Sequence, residues 1–210
     1  IDEILMTGGW QSWIETQLAP DTLSDSKLDK ILYEKYPWTQ MSLKKLQEAY
    51  PLGERGYNQP QLRKELPESV ILRAATSNRQ FKEVMCDFWR NHLSINQPDR
   101  NAPKRSWTAA HYEENVIRKH AFGHIEDMLL ASARHPGMLE FLDNYVSRKG
   151  AWNENYAREL MELHTLGADR YYNEQDVLEL SLILTGWSFN DGLSYTFRGD
   201  WHDTSNHKVL

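Results

Sequence analysis

The stretch NENYARELMELHTLG, residues 153–167, constrains this chain more than any other. Its apolar residues recur at helical spacing, and it ends at Gly167, a residue suited to the left-handed position after a helix. Taking about 100° per residue with Trp152 as origin, Tyr156, Leu160, Leu163 and Leu166 share one face. Glu159 falls inside that arc, Asn155 and Glu162 lie along one edge, and His164 lies beyond the other. Arg158, Glu154 and Thr165 point the opposite way, which makes Arg158 an anchor for a neighbouring helix. An inward carboxylate costs on the order of several kcal/mol unless it is compensated. It can meet an Arg or Lys, accept hydrogen bonds from backbone, Tyr or Trp, or bind a cation. The first two outcomes are structural. A carboxylate held from water is also suited to acid–base chemistry.

Helical periodicity continues through nearly the whole chain, without persistent two-residue alternation or an internal repeat. The expected fold class is all-α: a single irregular multi-helix domain over 1–210 with a short non-helical C-terminal tail. The opening segment breaks at Gly8–Gly9 and ends at Pro20. Further helices are expected near Ser24–Tyr36, over TQMSLKKLQEAY, over Glu68–His92, and over Tyr112–Arg134 closed by His135–Pro136–Gly137. Loops are expected over Gly53–Pro60 and Pro98–Trp107. GMLEFLDNYVS reads as a short helix. NEQDVLELSLILTGW starts another, with Asn173 as N-cap and Asp176 three residues on. Beyond Trp187 the pattern turns irregular, with a hairpin expected around Asn190–Asp191–Gly192.

A net charge of −6 argues against nucleic acid as a bulk partner. The one basic cluster, Arg100–Arg105, reads as a solvated loop. The single cysteine, Cys86, cannot form an intramolecular disulfide, and no run is long enough for a membrane span. Eight Trp and ten Tyr are many for a mean hydropathy of −0.70, so large aromatic faces supply core area or stack on sugars.

Three other places put polar chemistry at helical spacing. His92 continues the stripe of Phe81, Val84, Met85 and Phe88. His120 and His124 are four residues apart, a spacing that suits two imidazoles on one metal, but no Glu or His completes the set nearby. His202 and Asp203 are adjacent in the tail. Glu162 and His164 are spaced wrongly for the Glu-x-x-His pattern of di-iron bundles. No nucleophile elbow, P-loop, dinucleotide fingerprint or H-E-x-x-H occurs.

The segments FWRNHLSIN, YEENVIRKHAFGHIEDMLLASARHPGMLEFLDN, NENYARELMELHTLGAD, DVLELSLILTGWSF and HDTSNHKVL occur in this order. Together they resemble the bacterial domain-of-unknown-function family numbered eighteen hundred. The resemblance covers 72–210 and is weaker over 1–71, where GGWQSWIETQLAP is similar to an early W-x-x-x-Q-L-x-P region. It implies a largely helical bacterial protein, often exported to the periplasm or exterior. Such proteins are often encoded beside a family resembling sulfatases and phosphatases, so a carbohydrate or envelope partner is expected. The family's motif positions fall on Trp89, Asn91, His92, His120, Asn153, Asn155, Arg158, Glu159, Glu162, His164, Gly167, Gly186, Trp187, His202, Asp203 and Lys208. His124 departs from the motif, and Asp169–Arg170 replaces a Gly-rich turn. Family members usually continue past the point matching Leu210, so the chain is expected to be a fragment.

Two functions compete. In the first, a hydrolase or lyase acts on an envelope or polysaccharide substrate through Glu159, His164, His92 and Glu162. Trp89, Asn91, Asn155, His202 and Asp203 then bind substrate, and His92, Glu159, His164 and His202 are candidate ligands for a divalent metal. In the second, a non-catalytic helical binding or assembly module uses the inward polar groups as a hydrogen-bonded network. A sugar-binding face would instead align Trp10, Trp13, Trp107 and Trp201 on the surface. Convergence in one cleft favours the enzyme; separate local partners favour the module.

Overall fold

The computed structural model describes residues 8–51, 60–95, 104–168 and 171–210. The 1–7 start, most of the Gly53–Pro60 stretch, the Arg100–Arg105 cluster and Asp169–Arg170 lie outside the residues or side chains described. Gly8 and Gly9 adopt φ of 89° and 107°, and α1 (Trp10–Leu18) starts directly after them. α2 (Ser26–Lys35) and a 3-10 turn (Pro37–Gln40) lead to α3 (Leu43–Ala49), where the Ser42 side chain accepts a hydrogen bond from the Lys45 N–H.

The helix expected over Glu68–His92 is two helices, α4 (Pro60–Thr76) and α5 (Gln80–His92). The break has a tertiary cause. Ser77 donates its hydroxyl to buried Asp25, and the Asn78 N–H donates to the other carboxylate oxygen at 2.7 Å. No periodicity reveals a partner about fifty residues away. The helix expected over Tyr112–Arg134 is likewise divided. α6 (Lys104–Tyr112) starts inside the expected polar connection and runs on as a π-helical stretch, Glu113–Arg118. A turn through Gly123 then separates it from α7 (Ile125–Ala133).

α8 (Pro136–Phe141) follows, with the His135 side chain capping it by accepting from the Gly137 N–H. α9 (Asn155–Glu159) continues as a second π-helical stretch, Leu160–Thr165, in which the Leu166 N–H reaches the Met161 carbonyl at 2.7 Å. Hydrogen bonds five residues apart widen each turn, so a wheel drawn at α-helical pitch goes wrong here. Leu163, expected inward, is 59% exposed, and His164, expected beyond the edge, is 8% exposed. Gly167 takes the left-handed conformation expected of it, at φ 82°. α10 (Glu174–Ile183) begins with the expected capping box of Asn173 and Asp176.

The chain closes with the expected hairpin, β1 (Trp187–Phe189) against β2 (Tyr195–Phe197), antiparallel with Ser188 opposite Thr196. Apart from this two-stranded sheet the described residues are mostly helical, an all-α fold. One apolar cluster gathers Leu28, Tyr36, Trp38, Leu46, Leu62 and Trp107. A second gathers Cys86, Leu93, Ile117, Met128, Met138, Tyr156 and Val177. Ile95 packs against both. Among the described residues no helix is long and apolar enough to cross a membrane.

Candidate functional site

The conversion to π geometry after Glu159 decides where the ELMELH side chains go. His164 turns inward, and burial, with the neighbouring His92, lowers its pKa to about 4. His92, on the last turn of α5, lies with its ring 6.3 Å from that of His164. Its Nε2–H donates to the His164 backbone carbonyl at 3.0 Å. Glu159 and Glu162 are half-buried, and Glu159 has no hydrogen-bond or ion-pair partner among the described residues. Its inward angle on the wheel was set by an apolar arc that included Leu163, which the π stretch leaves 59% exposed.

The other expected site residues disperse. Trp89 meets His92 edge-on at 5.7 Å, and its indole N–H is buried without a partner among the described residues. Asn91 donates to the Asp87 carbonyl within its own helix. The Asn155 N–H donates to the Asn153 side chain. Arg158 anchors α10 as expected, laying its guanidinium on Glu174 at 2.9 and 2.7 Å. His202 donates Nδ1–H to the Thr185 carbonyl at 2.8 Å. Asp203 accepts from the Ser205 N–H and meets His207, with Lys149 at 3.9 Å. Those Ser205 and His207 contacts hold the Asp203 carboxyl down at about 2. Apart from Trp89, which touches His92, none of these residues has a partner in common with His92 or His164. His120 and His124 flank the Gly123 turn, so the one-face geometry expected of them does not form.

Besides Asp25, the carboxylates that the fold turns inward include Glu83 and Glu113. Arg118 donates to both oxygens of Glu83, and Arg90 to both oxygens of Glu113 at 2.9 Å. Arg73 of α4 reaches Glu114 at 2.6 Å. Burial raises the Glu114 pKa although Arg73 opposes it. Bidentate guanidinium–carboxylate pairs are the geometry that best compensates desolvation. α4, α5 and the π stretch after α6 are thereby clamped. The stripe expected on α5 is displaced as a result: Val84 and Phe88 are 60% and 53% exposed, while Glu83 and Cys86 face inward. The signal was present in EENVIR, two adjacent acids and a base within one helical repeat of apolar residues.

A second pair went unrecognised. His111 Nδ1 lies 3.0 Å from His135 Nε2, and the rings stack at 5.2 Å. In the sequence His135 read only as part of a stop signal.

Among the described residues no group of three or more His, Cys, Asp or Glu side chains is placed to hold a metal ion. The tryptophans do not form one face. Trp10 is exposed, Trp107 is buried with its N–H on the Tyr50 carbonyl, and Trp201 lies under the guanidinium groups of Arg148 and Arg198.

Fold and site together define a helical protein whose interior is crossed by paired charges. Residues 3–210 match the family model described as "Protein of unknown function (DUF1800)", and the chain belongs to that family. No curated protein and no solved structure matches it.

Proposed function

We propose that this chain is a helical binding or assembly module, in which Arg158 and the His164 carbonyl within 153–167 fix helix register rather than serve turnover of a substrate. The hydrogen bond from His92 to the His164 carbonyl supports this most directly: an imidazole closes the open end of a π turn. Arg158, His202 and Asp203 follow the same rule, each engaged with a local partner. Catalysis asks instead for groups gathered around one reacting atom. Ile95, packed against both apolar clusters, supports reading the chain as one folding unit.

The second reading is a hydrolase or lyase acting on a polysaccharide or envelope substrate outside the cytoplasm. One observation favours it: Glu159 is half-buried and without a partner among the described residues, hence available to a ligand. In that reading Glu159 is the acid or base, His92, His164 and Glu162 complete the centre, and Trp89, Asn91, Asn155, His202 and Asp203 hold substrate. A divalent cation would use His92, Glu159, His164 and His202. Assay of the purified chain on chromogenic glycosides and esters separates the two. The module reading expects no turnover, with Glu159→Gln melting like the parent. Turnover lost in a folded Glu159→Gln protein would overturn it.

A further inference from the structure

A cleft of about 460 Å³ opens between the start of α3, the end of α6, the α7–α8 junction and the hairpin turn. His111 and His135 line it, with Lys44 and Arg134 among its charged residues, and no Asp or Glu is among the lining residues. That composition is unusual in a chain of net charge −6.

The tautomers follow from one hydrogen bond. His135 Nδ1 accepts from the Gly137 N–H at 3.0 Å, so its proton sits on Nε2. That Nε2–H donates to His111 Nδ1, which fixes the His111 proton on its own Nε2. Protonating His111 would set two N–H groups against each other. Burial acts in the same direction and lowers the His111 pKa to about 4. The ring therefore carries one N–H with no partner among the described residues, and no free lone pair. The relay depends on Gly137, where a Cβ would stand 2.9 Å from Ile95 Cδ1 and 3.1 Å from His135 Nδ1.

Arg134 supplies the matching charge. Its guanidinium lies over the rings of Trp187 and Tyr195, at 5.6 and 5.7 Å, and pairs with no carboxylate among the described residues. Arg73, Arg79, Arg90, Arg118 and Arg158 all pair with one. A guanidinium held on aromatic faces loses little freedom on meeting an oxyanion, and its fork matches phosphate and carboxylate geometry. The cavity is of the size of ordinary small-molecule sites.

We propose that this cleft binds the phosphoryl or carboxylate group of a small molecule, between the Arg134 guanidinium, the Lys44 ammonium and the His111 N–H. The inference rests on the binding-module reading, and names the class of ligand. The test titrates the chain with inorganic phosphate, and separately with acetate, at constant ionic strength set by chloride. The His111 ring protons are followed by NMR. A saturable shift with either anion is expected, weakened about tenfold in Arg134→Gln and reduced in Lys44→Ala. Lys44 is exposed, so its variant reads the site without risk to the fold. No saturable shift with either anion, or affinity in both variants equal to that of the parent chain, would overturn the proposal. Such a failure leaves the ELMELH reading standing, because turnover and melting of Glu159→Gln report on that.

Discussion

Arg118 sets both terminal nitrogens of its guanidinium on the carboxylate of Glu83, in a setting where both side chains are nearly closed to water. Burial works against charge on Arg118, but its hydrogen bonds with Glu83 outweigh this and raise its pKa. Removing one partner strands the other. Arg118→Met leaves Glu83 buried and Glu113 with Arg90 alone, and should cost about 3–5 kcal/mol. The double variant with Glu83→Met removes both charges together and should recover most of that loss. Urea unfolding of the three proteins checks it. A double variant as unstable as the single one would show that the pair is not the source of the loss.

His92 closes the π stretch, so His92→Ala should lower stability by about 1–3 kcal/mol, through an unmet carbonyl and lost ring contacts. The pH dependence carries a separate sign. His164 has a folded pKa of about 4, below its ordinary value near 6.5. Between those values the unfolded chain binds more protons, so the native state weakens as pH falls from 6.5 and the effect is complete below 4. Burial gives His111 the same sign. His164→Leu should flatten this acid limb without abolishing it, as read from unfolding midpoints between pH 7 and 4.

Much of the fold was legible because local signals and tertiary packing agree. Gly8–Gly9, the Asn173–Asp176 box, Gly167 and the 190–192 turn each act within a few residues of themselves. The failures arise where a distant group intervenes. Asp25 breaks the long helix at Ser77, and the charge clamp turns a polar edge of α5 into its buried face. The fold holds carboxylates inside at Asp25, Glu83 and Glu113, whereas Glu159 is half-buried. A wheel at constant pitch cannot anticipate a π stretch, and the two such stretches carry Glu113 and His164 inward. The His111–His135 pair escaped notice because its partners are 24 residues apart, His111 on α6 and His135 at the cap of α8.

Gly186 sits where three chain segments meet. Its N–H donates to the Ser147 carbonyl, its carbonyl accepts from the Arg198 N–H, and its φ is 80°. A Cβ there would lie 2.5 Å from the Arg198 carbonyl oxygen, a backbone atom that cannot swing aside. Gly186→Ala should therefore cost on the order of 3 kcal/mol, from left-handed strain plus overpacking. Gly150→Ala, at φ 77° with nothing within 4 Å of the added methyl, pays only the conformational term. Thermal melts of the two variants separate strain from collision: the Gly186 variant should fall clearly lower.

The tail returns over α10 through His207, which stands between two carboxylates. Its Nδ1 lies 2.7 Å from Glu179 and its Nε2 3.1 Å from Asp203, while the Leu210 N–H donates to Asp176. Glu179, with help from Asp203, raises the His207 pKa; His207 in turn lowers Glu179, while Asp203 is lowered first by Ser205 and then by His207. A base whose folded pKa is raised contributes fully below its unfolded value near 6.5, and that contribution disappears as pH climbs through the folded value. The carboxylates work oppositely, contributing above about 4.5 and failing as pH drops through their depressed values. The strap should thus hold tightest between roughly pH 4.5 and 6.5 and loosen on the alkaline side first. Amide exchange of residues 203–210 should quicken above neutral pH beyond its intrinsic rise, while exchange in α5 does not. His207→Gln should show the faster tail exchange at pH 6 and lose the alkaline step. Protection of the tail that is identical in the two proteins across this range would dismiss the imidazolium as its fastening.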